Sequence, residues 1–412
     1  ISDLAAGAAT SNSNVSIPSF AARTGRPSSA TKVARSRCRY LPVDSPPTGT
    51  SSKLAASSEF RNLDLLRAVA VLCVFLAHLF LFLIKLQYVS LAHHPELWDI
   101  FLNLVGHLGV LFFFVHTALV LMLSLDRTSS TGMVLNFYLR RIFRIYPLSI
   151  ALILGVLILK VPQVPEGTYV PWNGREIFSN LLLVQNIFQE PDMIFPLWTL
   201  PREFQMYLAL PFLYLLLKRI SSSIVVLLVW LAFFAAVPST PLLSCFPCFM
   251  GGVFAYQLGK ERVFRLPAAV WPVAILLLGA LNFTLNLTIL PDYRADFVLC
   301  MLLGLVIPNI VDLNESWITR ASRSVAKYSY GIYLCHEPVI WFSFIKLKSF
   351  PVAVRWTALV LLMIVVPLAG YRWLEAPLIE IGRRLATRWT NAYGRFRAAR
   401  KGVFEESPQL AD

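Results

Sequence analysis

Apolar stretches of about twenty residues recur along this chain from residue 63 to residue 375, and they constrain its fold more than any other feature. A run of that length is long enough to cross a bilayer as a helix. Ten candidate spans can be drawn, at about 63–85, 101–124, 145–160, 204–217, 222–237, 242–258, 268–288, 295–311, 328–346 and 353–375. Only 15% of the residues are charged, against roughly a quarter in soluble domains, which excludes an ordinary soluble globule. The expected fold class is therefore all-α, a polytopic membrane protein with about ten transmembrane helices. Three regions follow: a basic, Ser/Pro-rich, disordered N-terminal tail over 1–58, a membrane-embedded domain over 59–378, and a basic cytoplasmic C-terminal tail over 379–412. A weaker helical pattern, Glu176 to Phe188, falls in the long 161–203 loop and is expected to lie on the membrane or re-enter it.

Charge sets the orientation. The proposed inner loops hold 12 Lys and Arg in 46 residues, the outer loops 7 in 77. Basic residues collect on the cytoplasmic side, so both termini are expected there. The same rule accounts for the net charge of +14, which in a soluble protein would point to nucleic acid; no nucleic-acid motif is present. Five of the six cysteines sit in apolar segments, which argues against a disulfide framework. Cys245-Phe-Pro-Cys248 lacks a second CxxC or a nearby His and is read as packing rather than as a metal site. The expected location is therefore a membrane, and no metal is expected.

Polar groups inside the spans carry the functional argument. In LDLLRAVAVLCVFLAHLF, Arg67 and His78 are eleven residues apart. At 100° per residue they share one helix face, about 16 Å apart along the axis. Ionisable groups at such depths face a cavity or the bundle interior. In KYSYGIYLCHEPVI, Tyr330, Tyr333 and Glu337 fall near one stripe with His336 beside it, and Pro338 follows. In NFYLRRIFRIYP, Arg141 and Arg144 are i, i+3, a pairing of guanidiniums suited to phosphate. In FPLWTLPREFQMYLALP, Trp198 fits an interfacial belt and Glu203 begins a span, where a helix N-terminus favours an anion.

Taken together, these stretches resemble the acyltransferase-3 family of membrane-embedded acyltransferases. The features that carry the resemblance are Arg67 and His78 in the first span, Arg-x-x-Arg at 141–144, LWTLPREFQMYLALP, YSYGIYLCHEPV, and YRWLEAPL from Tyr371 to Leu378, in family order over about 60–385. One departure is His116-Thr117-Ala118, where many members carry Ser-Gly and a bulky residue. Another is that only a short basic tail follows Glu375, whereas some members carry a fused extracytoplasmic domain.

The resemblance implies transfer of an acyl group, commonly acetyl, from cytoplasmic acyl-CoA to a hydroxyl of an envelope or exported glycan. Acetyl-CoA or another acyl-CoA would be a donor substrate, with no tightly bound cofactor. The partners would be that donor, a glycan or glycosylated acceptor and the lipid bilayer, with a separate extracytoplasmic acyltransferase as a further candidate. His78 is the expected base or transient acyl carrier, because a sugar hydroxyl is a weak nucleophile. Arg67 would orient the donor or His78, and Arg141 and Arg144 would hold the CoA phosphates. Glu203 and His336 complete the expected catalytic set, with Trp198, Tyr330, Tyr333 and Glu337 around the substrate. The competing reading is a proton-coupled transporter or flippase, with Arg67, His78, Glu203, His336 and Glu375 as its proton path.

Overall fold

The computed structural model describes residues 61–88, 95–128, 132–164, 167–220, 222–236, 245–261, 265–289 and 293–405. The expected N-terminal tail, 1–58, lies outside them. The described residues are helical, and their one β feature is a lone bridge between Leu266 and Ile310.

The long helices are α1 (Arg61–Lys85), α2 (Pro95–Arg127) and α3 (Met133–Leu159). Two short helices follow, α4 (Gly174–Leu181) and α5 (Gln185–Phe188), and then α6 (Thr199–Ile220), α7 (Ser223–Ala236), α8 (Phe246–Glu261), α9 (Val270–Thr284) and α10 (Tyr293–Val306). The chain ends with α11 (Trp317–Trp341), α12 (Val352–Ala369) and α13 (Ala376–Glu405). Each of the ten expected spans falls on a helix. Among the described residues, five helices are long and apolar enough to cross a membrane: Arg61–Lys85, Glu96–Arg127, Met133–Leu159, Val270–Leu287 and the stretch Val352–Arg395.

Several expected boundaries move. The helix expected at 145–160 begins at Met133, because the arginines before Tyr146 continue its helical face. The helix expected at 204–217 begins at Thr199, so Glu203 sits in its second turn, away from the helix N-terminus. The segment Glu176–Phe188 is two helices with a break at 182–184, where Leu183 takes a left-handed conformation at φ 56°. Asn173 starts α4 with a capping box closed by Glu176. Residues 379–405, read from their charge as a tail, continue the last helix. Gly382, Ala386 and Thr390 recur at helical spacing and form its contact face: a Cβ on Gly382 would meet that of Phe143 at 2.6 Å, and Thr390 Oγ1 accepts from Asn136.

The bundle is closed by small residues rather than by water-driven burial, since lipid tails are as apolar as leucine. The α8 backbone lies directly on α2 and α10. A Cβ on Gly252 would stand 2.2 Å from the Val115 carbonyl oxygen, and one on Gly304 2.2 Å from that of Gly251. On the other side of the bundle, Gly331 of α11 lets the Pro367 backbone of α12 come within 3.1 Å of where its Cβ would be. Beyond Pro367 the chain widens into a π turn, Gly370–Glu375, which carries Glu375 inward to 1% exposure. The loop before α6 is pinned by Asn180, which donates to the Glu176 and Pro191 carbonyls and accepts from Met193 N–H. That loop delivers a 3₁₀ turn, Phe195–Trp198, onto the bundle.

Candidate active site

One stripe of α11 organises the site. Ser329, Tyr330, Tyr333, His336 and Glu337 follow the helical repeat, and each reaches a different part of the bundle. Ser329 Oγ accepts from Arg67 Nε at 2.5 Å, and the Tyr330 hydroxyl donates to the Ile145 carbonyl at 2.9 Å. The Tyr333 hydroxyl is 2.9 Å from Thr199 Oγ1 and 3.2 Å from the Pro196 carbonyl. His336 Nε2 is 2.7 Å from His78 Nδ1. Arg67 and His78, placed on one face by their spacing, thus both meet α11. Their partners, Ser329 and His336, are two turns apart on it.

The hydrogen bonds assign the tautomers of the histidine pair. His336 Nδ1 is 2.6 Å from the Tyr333 carbonyl, which can only accept. That nitrogen therefore carries the proton, and Nε2 of a neutral ring presents its lone pair. It accepts from His78 Nδ1–H, which leaves the lone pair of His78 on Nε2. The two rings lie nearly in one plane across this bond, with centroids 5.0 Å apart at 22°, and Phe195 meets His78 edge-on at 5.5 Å. Glu337 Oε1 is 3.6 Å from His78 Nδ1.

His78, His336 and Glu337 offer ligand atoms within 4.8 Å of one another, the donor set of a two-histidine, one-carboxylate metal site. Two tetrahedral zinc–nitrogen bonds would hold their nitrogens about 3.3 Å apart. At 2.7 Å the rings are drawn together as a hydrogen-bonded pair. The donor set suits a metal, but the spacing suits a proton.

Below the pair lies a chamber of charge. Two adjoining cavities of about 50 Å³ each share Arg67, Thr117, Glu203 and Tyr330 in their walls. One is extended by Thr199 and Tyr333, the other by His116, Arg141, Arg144 and Tyr207. Arg144 forms an ion pair with Glu375, and Tyr207 donates to Glu203. Three guanidiniums thus face two carboxylates, an excess of one positive charge in a site where uncompensated charge is costly. Arg141 Nε and His116 Nδ1 are buried and make no hydrogen bond among the described residues. Each cavity has room for a few waters, or for a slender chain, but not for a nucleotide. Neither wall includes His78; the lining ends at Tyr333, one turn before His336.

The expected site residues thus separate into three places. Arg67, Arg141, Arg144, Glu203, Tyr330 and Tyr333 line the chamber. His78, His336 and Glu337 form the cluster beyond it. Trp198 lies outside both, with the Arg202 guanidinium 4.9 Å over its ring. Ser329 and Thr199 were not singled out from sequence, and Tyr207 entered only as the tyrosine of the LWTLPREFQMYLALP motif; ordinary hydroxyl residues in a helix carry no local signal. His116 did carry one, as a histidine inside an apolar run and a departure from the family pattern. Its 4% exposure and open Nδ1 place it in the chamber wall. Next to the site an apolar groove of about 510 Å³ runs between α3, α11 and α12, past Cys335 and Pro338.

Comparison with known proteins adds three findings. The sequence profile of the acyltransferase-3 family, described as an acyltransferase domain, matches residues 60–372. The chain is similar to Acyltransferase MdmB of Streptomyces mycarofaciens, 27% identical over 273 residues that cover 57% of this chain and 68% of that protein. No solved structure matches.

Proposed function

From the premise that the chain belongs to the acyltransferase-3 family, and so is a membrane enzyme that transfers acyl groups, we propose that it moves acetyl from cytoplasmic acyl-CoA to a hydroxyl of an envelope or exported glycan. In this reading ten helices cross a bacterial inner membrane and both termini are cytoplasmic, as the loop charges favour. The observation that supports the chemistry best is the tautomer chain from the Tyr333 carbonyl through His336 to His78, because it leaves a lone pair on His78 Nε2.

The donor enters by its narrow end. Arg141 and Arg144 take its phosphates at the inner mouth, and Arg67 steers the pantetheine arm through a chamber too small for the nucleotide. Arg67 lies about 16 Å along α1 from His78, so its role is with the donor rather than with the imidazole. At the top, His78 Nε2 accepts the acceptor's hydroxyl proton as the oxygen bonds to the acyl carbon. The carbon–sulfur bond breaks, and the CoA thiolate takes that proton from His78. His336 keeps the His78 proton on Nδ1 throughout. Glu203 balances the chamber's arginines.

The test is the full-length protein purified in detergent, given labelled acetyl-CoA with and without added glycan. Release of CoA that depends on the glycan is expected from the wild type and is lost in His78→Ala. A His78→Ala protein that transfers acetyl at the wild-type rate and protein level ends this assignment.

A further inference from the structure

One more imidazole in the bundle is paired with a carboxylate and takes no part in the histidine cluster or the chamber described above. His107 Nε2 of α2 lies 2.9 Å from Asp296 Oδ2 of α10, across 189 residues of sequence. The Asp296 side chain is 12% exposed and that of His107 35%. An ionised carboxylate only accepts, so His107 Nε2 carries a proton, and in the neutral ring the lone pair is then on Nδ1, which makes no hydrogen bond among the described residues. A tie between helices needs only the Nε2–H. Here it also leaves a basic nitrogen free on a ring that is one-third open.

The position of this ring matters more than its existence. A Cβ on Gly106 would stand 3.1 Å from that of Ala77, so α1 and α2 touch at that level. The next residue on each helix is a histidine, His107 and His78. The two imidazoles therefore sit at one depth, on helices whose axes at such a contact are about 8 Å apart. The 3₁₀ turn Phe195–Trp198 touches both: Phe195 meets His78 edge-on, and the Trp198 ring is parallel to that of His107 within 9°, with centroids 6.3 Å apart. One turn thus presents an aromatic ring to each histidine.

We infer that His107, Asp296 and Trp198 form the subsite for the acyl acceptor, and that the acceptor is a hydroxylated ring of the sugar class. The apolar face of such a ring lies on the indole, as Trp provides area with little ordering cost. A ring hydroxyl donates to His107 Nδ1, and a neighbouring hydroxyl is thereby held at the depth of His78 Nε2. Asp296 is a positioning residue that fixes the tautomer of His107. The inference rests on the acyl-transfer reading above.

The experiment uses the full-length protein in detergent with acetyl-CoA as donor and a panel of methyl and octyl glycosides as acceptors, and follows CoA release and glycoside acetylation by mass. In the wild type, at least one glycoside is acetylated. His107→Ala and Trp198→Phe each raise the KM for that glycoside tenfold or more, while the KM for acetyl-CoA stays within twofold. Asp296→Asn can still hydrogen-bond His107, but its amide either donates to Nε2 or accepts from it, so the ring proton is no longer held on Nε2. It therefore raises the same KM with no loss of melting temperature, which a merely structural tie would not do. Unchanged glycoside KM values in the three variants, or equal rises for donor and acceptor, overturn the subsite. So does a wild type that turns over acetyl-CoA but accepts no glycoside. A wild type that turns over no acetyl-CoA under any condition defeats the acyl-transfer reading instead.

Discussion

Replacing His336 by Phe tests the histidine pair most sharply, because the ring volume is largely kept and both nitrogens are removed. His336 is fully buried, with its Nε2 2.7 Å from His78 Nδ1. A hydrogen bond of this kind contributes about 0.5–1.5 kcal/mol net, and a buried donor left without an acceptor costs about 1–3 kcal/mol. Without His336, His78 has that much to gain by moving its proton to Nε2, where the side chain can find another acceptor. At about 1.4 kcal/mol per factor of ten, the fraction of His78 with its lone pair on Nε2 falls by about five- to a hundredfold. The predicted result is a drop of that size in kcat for glycan-dependent CoA release, with the KM for acetyl-CoA unchanged. His78→Ala, which removes the base itself, should cost about 10²–10⁴. A His336→Phe enzyme within threefold of wild type would refute the relay. One as inactive as His78→Ala would show that His336 acts on the substrate directly.

Other outcomes follow from the chamber and the packing. Arg141→Ala should raise the KM for acetyl-CoA about tenfold or more and leave kcat nearly intact, as loss of a charge-assisted bond to an anion requires; unchanged donor KM would remove it from the donor path. Arg144→Ala strands the 1%-exposed Glu375, an effect worth about 3–5 kcal/mol for a buried pair. Arg144→Ala/Glu375→Ala should therefore melt higher in detergent than Arg144→Ala alone. Gly252→Val drives a side chain into the Val115 carbonyl and should abolish the monodisperse folded fraction by size-exclusion chromatography, whereas Gly155→Ala, which meets nothing within 4 Å, should not. A fluorescent reporter that matures only in the cytoplasm, fused after the last residue, should be bright if the C-terminus is cytoplasmic.

The parts of the site legible in sequence were those in which chemistry violates its surroundings. Arg67 and His78 stand out because an apolar helix carries them at an interval that returns to one face, and the structure puts both against α11. His336 and Glu337 stand out in the same way. Family membership then decides between acyl transfer and the transport reading of the same residues. What depends on partners was not legible. Glu203 was assigned to a helix N-terminus; α6 starts four residues earlier, and the carboxylate is instead bound by Tyr207. The tie of Arg144 to Glu375 spans 231 residues and needs the π turn after Pro367 to bring the carboxylate inward. His107 and Asp296 each look like an isolated polar residue near a span end. Their meaning arises only when α2 and α10 are brought together on α8. α11 was legible as an apolar run at 328–346 although it is not among the helices long and apolar enough to cross by hydropathy, since it also carries the tyrosines, histidine and glutamate of the site.

The chamber's charge also argues for the direction of donor entry. Arg67, Arg141 and Arg144 face two carboxylates, Glu203 and Glu375, and Arg141 Nε and His116 Nδ1 make no hydrogen bond among the described residues. Buried positive charge in excess of its carboxylates is costly, and a bound anion would offset it. Under the proposed acyl transfer that anion is the donor, which would enter as a thin chain because each cavity is about 50 Å³. A bulky sugar acceptor meets neither condition. The end of the column beyond Tyr333 has no excess of arginine. It offers two neutral-capable imidazoles at one depth and an aromatic turn, which suits an uncharged hydroxyl. Charge at one end and lone pairs at the other therefore support the proposal that donor and acceptor enter from opposite ends of the bundle and react beside His78.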